Sequence, residues 1–171
     1  MRIMNFCIRK AVSDDIPQIM KIMYAAPSGD TKPEWYITDE ESSVRSCLDE
    51  KGCILVAETE SSVMAGFFIV RYPDREENLG KYLDFSESQL QQVALMDSVA
   101  IVPDFRGYGL QKKLVEEAER RIDREKYHYL MCTIHPDNHY SLANMEKSGY
   151  TVRKTVECYG GNIRHVLLKE V

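Results

Sequence analysis

The sequence lacks any run of about 20 apolar residues, which excludes a membrane-spanning helix. Residues 1–12 lack the unbroken apolar stretch of a secretory leader, so none is expected. Excess positive charge is also missing: 22 Lys and Arg stand against 27 Asp and Glu, a net charge of −5. Nucleic acid and anionic membrane bind through surplus Lys and Arg, so neither is expected as a partner. The five cysteines, Cys7, Cys47, Cys53, Cys132 and Cys158, are odd in number and include no CxxC pair. They read as free thiols of a reducing, cytoplasmic protein. Zinc-like ligand spacing is absent around Cys132, His135 and His139, so no metal is expected. There is no Gly-x-Ser-x-Gly elbow of a hydrolase, no internal repeat and no low-complexity tract. What remains is the composition of an ordinary globular chain, 44% hydrophobic and 29% charged. Its 171 residues suffice for one domain, 1–171, with a core of its own.

Hydrophobic periodicity and turn residues divide the chain. Residues 6–11 read as a strand. Ser13 is an expected N-cap for a helix carrying Ile16, Ile19, Met20 and Met23 at helical spacing. A loop with Pro27, Gly29 and Pro33 leads to a second helix over 38–50, with Thr38 and Glu41 as a capping box. Strands follow at 53–59 and 64–72, joined near Ser61–Ser62 as a hairpin. Residues 73–86 read as loop, and 86–92 as a brief helix capped by Ser86 with Gln89. An apolar strand at 95–102 ends at Pro103. The clearest helix spans 109–125, with Leu110, Leu114, Val115, Ala118 and Ile122 on one stripe. Glu116–Arg120 and Glu117–Arg121 are expected ion pairs on its wet face. A strand at 129–134, a helix at 139–147 closed by Gly149, and strands at 150–159 and 163–169 complete the chain. This order implies a mixed α/β sheet covered by helices.

The most informative segment joins the strand at 95–102 to the helix at 109–125. Gly107 and Gly109 let the backbone turn tightly and approach a ligand. The free N–H groups and positive dipole end of a helix N-terminus then face that ligand. Arg106, Lys112 and Lys113 crowd this end, where cations are unfavourable by some tenths of a kcal/mol unless an anion binds. A nucleotide-like diphosphate suits the site. The segment is neither a dinucleotide fingerprint nor a P-loop, because a third glycine and the GxxxxGK[ST] spacing are absent.

Arg106-Gly107-Tyr108-Gly109-Leu110-Gln111 resembles the cofactor motif of the GNAT superfamily of N-acetyltransferases, with Gln111 where the pattern has Gly or Ala. Asn138, Ser141, Gly149 and Tyr150 resemble the family's late segment, in the same order and spacing. The resemblance implies a mixed, mostly antiparallel sheet of about seven strands, splayed at the cofactor site and flanked by about four helices. It also implies acetyl-CoA as co-substrate. The diphosphate would rest on backbone N–H groups from Gly107 through Tyr108, Gly109, Leu110 and Gln111 to Lys112, beside Arg106. The pantetheine arm would pair near Ile101, and Asn138 and Ser141 would touch it from the other wall. Homodimers through late strands are common in the family.

Acyl transfer to an amine needs a neutral nucleophile, although an alkylamine has a pKa of about 10.4. Asp97 is the candidate base and acceptor contact, in a position where the family often carries a carboxylate. Strand alternation puts Asp97, Val99 and Ile101 on one face. Many relatives place a proton-donating Tyr where this chain has Met145, so the expected donor is Ser141 or a water. Trp35 and Tyr36 are candidate acceptor contacts, and the segment from Tyr159 to Arg164 a second wall, with Arg164 either binding an acidic acceptor or lying on the surface. The reading is therefore an acetyltransferase acting on an amine of a small molecule or peptide. A CoA-binding regulatory module without turnover is the alternative, and an anion-binding interaction domain a third.

Overall fold

The computed structural model describes residues 3–27 and 32–171; Gly29 of the expected loop lies outside them. Seven strands form one sheet: β1 (Phe6–Lys10), β2 (Gly52–Thr59), β3 (Met64–Arg71), β4 (Val93–Ile101), β5 (Tyr129–Ile134), β6 (Thr151–Cys158) and β7 (Asn162–Glu170). Their spatial order is β1-β2-β3-β4-β5-β7-β6. Every neighbouring pair is antiparallel except β4 with β5.

Alternation places successive strand residues on opposite faces. On β2, Ile54 and Val56 face helices α1 (Ile16–Ala25) and α2 (Glu41–Ser46). Leu55 and Ala57 pack into the core under α4 (Leu110–Arg121) and α5 (His139–Lys147). Phe67 and Ile69 against Phe68 and Val70 repeat this on β3. The expected stripe of α4 is buried, with Leu114 at 0% exposure, which presses the helix onto the sheet. Its last turn is anchored by Glu119. That carboxylate accepts from the Tyr150 hydroxyl at 2.8 Å and from Lys169 Nζ at 2.9 Å.

Several local expectations differ. Ser13 does not cap a helix: residues Ser13–Asp15 form a 3-10 turn, and Ser13 Oγ accepts from Arg45 Nη1 at 3.0 Å. Asp15 takes the cap's work, accepting from the Val12 N–H at 2.8 Å while pairing with Arg9. The capping box at Thr38 and Glu41 does not form, because 36–40 stays extended toward the sheet and α2 starts at Glu41. Within the expected loop 73–86, Leu79–Leu83 forms a 3-10 turn whose Leu79 is buried. One turn of helix, α3 (Glu87–Leu90), carries the Ser86–Gln89 capping box as expected. On α4, Glu117 takes both Arg120 and Arg121 at 2.9 Å, in place of the Glu116–Arg120 pair.

Candidate active site

β4 and β5 pair only from Val93 to Leu95, against Tyr129 to Met131. Beyond that point β4 runs on to Ile101 and β5 to Ile134 without touching, so the sheet opens like a V. β4 backbone groups that face β5 past Leu95 lack a strand partner there.

A bulge lies at the apex. Ile69 pairs with Ser98 and Val70 with Met96, which leaves Asp97 as the extra residue. The bulge reverses the alternation. Ala94 and Met96 belong to the core on the α4 side, and Val99 and Ile101 pack against it. Asp97 instead meets Arg71 and Asp39 on the α1–α2 side. The expectation that Asp97, Val99 and Ile101 share one face is therefore corrected: an inserted residue shifts the pleat by one.

A cavity of about 940 Å³ passes through the V and is lined from both faces. All the expected site residues line it except Tyr108, whose ring packs edge-on against Phe6 at 5.6 Å. Tyr108 thus offers the cavity only its backbone. On the α4 side, Gly107 and Gly109 have φ of 86° and 73°. An added Cβ at either would meet nothing within 4 Å, so the backbone there faces open space. Arg106 Nε donates to the Ile101 carbonyl at 3.4 Å, linking the glycine turn to the end of β4. Gln111 lines the cavity, and its buried Nε2 has no hydrogen-bond partner. A buried donor left unpaired costs about 1–3 kcal/mol, so this amide fits a ligand that accepts from it. Asn138 caps α5, its Oδ1 accepting from the Ser141 N–H at 3.3 Å.

On the α1–α2 side, Arg71 Nε donates to Asp97 Oδ2 at 3.2 Å, and Arg71 Nη2 lies 3.6 Å from Asp39 Oδ2. Arg71 is 7% exposed. Burial pushes the Asp97 carboxyl up to about 6, against the opposing pull of Arg71. Burial raises Asp39 as well. The Tyr36 hydroxyl bonds Ser98 Oγ at 2.7 Å, and burial holds its phenol well above the usual range. Trp35 ends a 3-10 turn, Pro33–Trp35, and its buried Nε1 is unpartnered. Arg164 proves neither a surface residue nor a free cation. It is 3% exposed and ties β7 to the Glu34 carbonyl.

Sequence reasoning missed Arg71, Asp39 and Thr133. Arg71 ends an apolar strand, and its only sequence signal was a charge adjoining that run. Thr133 Oγ1 lies 3.1 Å from the Tyr159 hydroxyl across the β5–β7 edge of the cavity.

Residues 16–150 match the Acetyltransferase (GNAT) family, so the chain belongs to this family of acetyltransferases. No curated protein sequence matches it. Among solved structures, it is similar to the ribosomal-protein-alanine N-acetyltransferase of Brucella melitensis. That likeness has a TM-score of 0.69 at 21% identity, over 96% of this chain and 99% of the other. It is also similar to a GNAT superfamily phosphinothricin acetyltransferase of Sinorhizobium meliloti, solved in complex with AcCoA. Here the TM-score is 0.72 at 15% identity, over 97% of this chain and 88% of the other. At these identities the likeness is one of fold. The splayed seven-stranded sheet expected from the motifs is the sheet observed, with five helices rather than about four, the fifth being the single turn α3.

Proposed function

We propose that the chain transfers an acetyl group from acetyl-CoA to a primary amine of a small molecule or peptide, by direct attack within a ternary complex. One observation carries this reading. A single cavity joins the glycine turn and helix start on one face to a buried carboxylate on the other, through the gap in the sheet. Acetyl-CoA supplies the activated thioester. The N–H groups at the start of α4, with Arg106 and Lys112, hold its diphosphate. Gln111 Nε2 donates to it, and Ile101, Asn138 and Ser141 flank the pantetheine arm. Unpaired β4 amides beyond the bulge stabilise the oxyanion.

Asp97 takes the proton of the incoming ammonium, directly or through water. A carboxyl titrating at about 6 is ionised at neutral pH yet basic enough to accept a proton. Trp35 and Tyr36 wall the acceptor. The two relatives named act on a protein alanine and on phosphinothricin by their descriptions, so both acceptor classes occur on this fold. All five cysteines are free, which supports a reducing, cytoplasmic setting. The exposed edge strand β6 supports a homodimer through the late strands.

Calorimetric titration with acetyl-CoA tests the reading. The wild type is expected to bind at micromolar affinity. Gly109→Glu, with its fold checked by circular dichroism, is expected to lose that binding, because a carboxylate would face the diphosphate. Thiol release with a panel of amines then reports transfer. Absence of wild-type binding overturns the reading.

A further inference from the structure

We propose that Tyr159 delivers the proton to the departing thiolate, with Thr133 holding its hydroxyl; this rests on the acetyl-transfer reading above. The usual helical position is closed to the task. Met145 on α5 is 5% exposed and has no proton to give. Tyr140 on the same helix is 73% exposed, its ring mostly in water.

Tyr159 differs in three ways. It lines the cavity from the β6–β7 turn, and its hydroxyl meets Thr133 Oγ1 at 3.1 Å. Thr133 lies two residues past the last β4–β5 pair, on the strand that forms the other wall of the V. Asp97 stands on the β4 wall, so a base and an acid face one cavity from opposite sides. Second, two hydroxyls carry two protons, and their mutual bond uses one. The other is left to donate into the cavity. Third, the residue is held in place. Tyr159 has φ of 53°, a left-handed conformation costing about 1 kcal/mol for a residue with a side chain. The Gly160–Gly161 turn and the bond from Asn162 Nδ2 to the Tyr159 carbonyl, 2.7 Å, keep it there. Burial pushes the phenol up to about 12, so it is protonated whenever a thiolate forms beside it.

The step balances. The neutral amine adds to the thioester carbonyl, forming the C–N bond, and its surplus proton passes to Asp97. Collapse of the oxyanion breaks the C–S bond. The thiolate takes the Tyr159 proton, and solvent reprotonates the phenolate, since Tyr159 is 49% exposed. The products are the acetylated amine and free CoA thiol.

The test uses the full chain, acetyl-CoA and the panel amine with fastest thiol release. Tyr159→Phe keeps the ring and the backbone, so the fold and the acetyl-CoA Kd are expected unchanged. Its kcat is expected to fall on the order of 10²-fold, with the solvent isotope effect on kcat moving toward one. Thr133→Val should lower kcat by a smaller factor, and Thr133→Ser should restore it, because Thr133 only positions the phenol. Wild-type-like kcat in Tyr159→Phe overturns the proposal while leaving acetyl transfer standing. A loss in Ser141→Ala with none in Tyr159→Phe assigns the proton to α5 and equally overturns it. A wild type that binds no acetyl-CoA overturns both readings.

Discussion

At the scale of single residues, Asp97 shows how position creates chemistry. In a regular strand its carboxyl would lie on the α4 face among Val99 and Ile101. The bulge turns it to Arg71 and Asp39, where burial raises it to about 6. The folded chain therefore holds a proton that the unfolded chain has released, over the window from about 4 to about 6. This group's contribution to stability is full below that window and is lost as pH rises through it. Asp97→Asn is expected to melt no lower than the wild type above pH 6.5, and to lose about 10²-fold in kcat. The wild-type acidic limb, with a midpoint near 6 in kcat/KM, should vanish in the variant. Thermal melts and initial rates across pH check both.

Gln111 makes the converse case. Its Nε2 is buried and unpaired, a cost of about 1–3 kcal/mol that a bound acceptor relieves. Gln111→Ala should raise the melting temperature of the free protein slightly. It should also weaken acetyl-CoA binding by about 3–10-fold, the worth of one hydrogen bond. Calorimetry with paired melts would show whether the two shifts are opposite in sign.

Elements position these residues, and the weakest link is the docking of α4. Glu119 is 9% exposed and is matched by Lys169 of β7 and by the Tyr150 hydroxyl. Removing one partner of a buried pair leaves an uncompensated charge, at about 3–5 kcal/mol. Lys169→Met is therefore expected to destabilise the fold by about that amount in urea unfolding, and Tyr150→Phe by about 1–3 kcal/mol. The paired change Glu119→Leu with Lys169→Met should recover most of the loss.

Helix α4 was legible in the sequence because its stripe Leu110, Leu114, Val115, Ala118 repeats over three turns. The Ser86–Gln89 cap was legible for the same local reason. The turn at Leu79–Leu83 was not: its order comes from Asn78, whose Oδ1 takes the Gly80 N–H and whose Nδ2 reaches the Leu90 carbonyl. Such a bond spans 12 residues and leaves no periodic trace.

For the whole molecule, the sheet acts as a hinge-free clamp opened by missing pairs between β4 and β5. A ligand that threads the gap ties both halves and binds only the folded state. Acetyl-CoA at 100 times its Kd is expected to add about 2.7 kcal/mol of stability. Differential scanning fluorimetry would register this as a rise of several degrees, and free phosphate at equal concentration should give far less.

The sequence by itself determined the strands, the main helices and the anion-binding helix start, since each follows from local periodicity, glycine placement and charge. It also marked Asp97 as a carboxylate inside an apolar strand. Only the tertiary structure decided which face Asp97 occupies, because a bulge is a mismatch between two strands and belongs to neither alone. The meeting of Arg71 with Asp39 and Asp97, and of Tyr159 with Thr133, was decided in the same way. These groups lie 26 to 32 residues apart along the chain, or close to it, and only the pairing of the sheet brings them into one cavity.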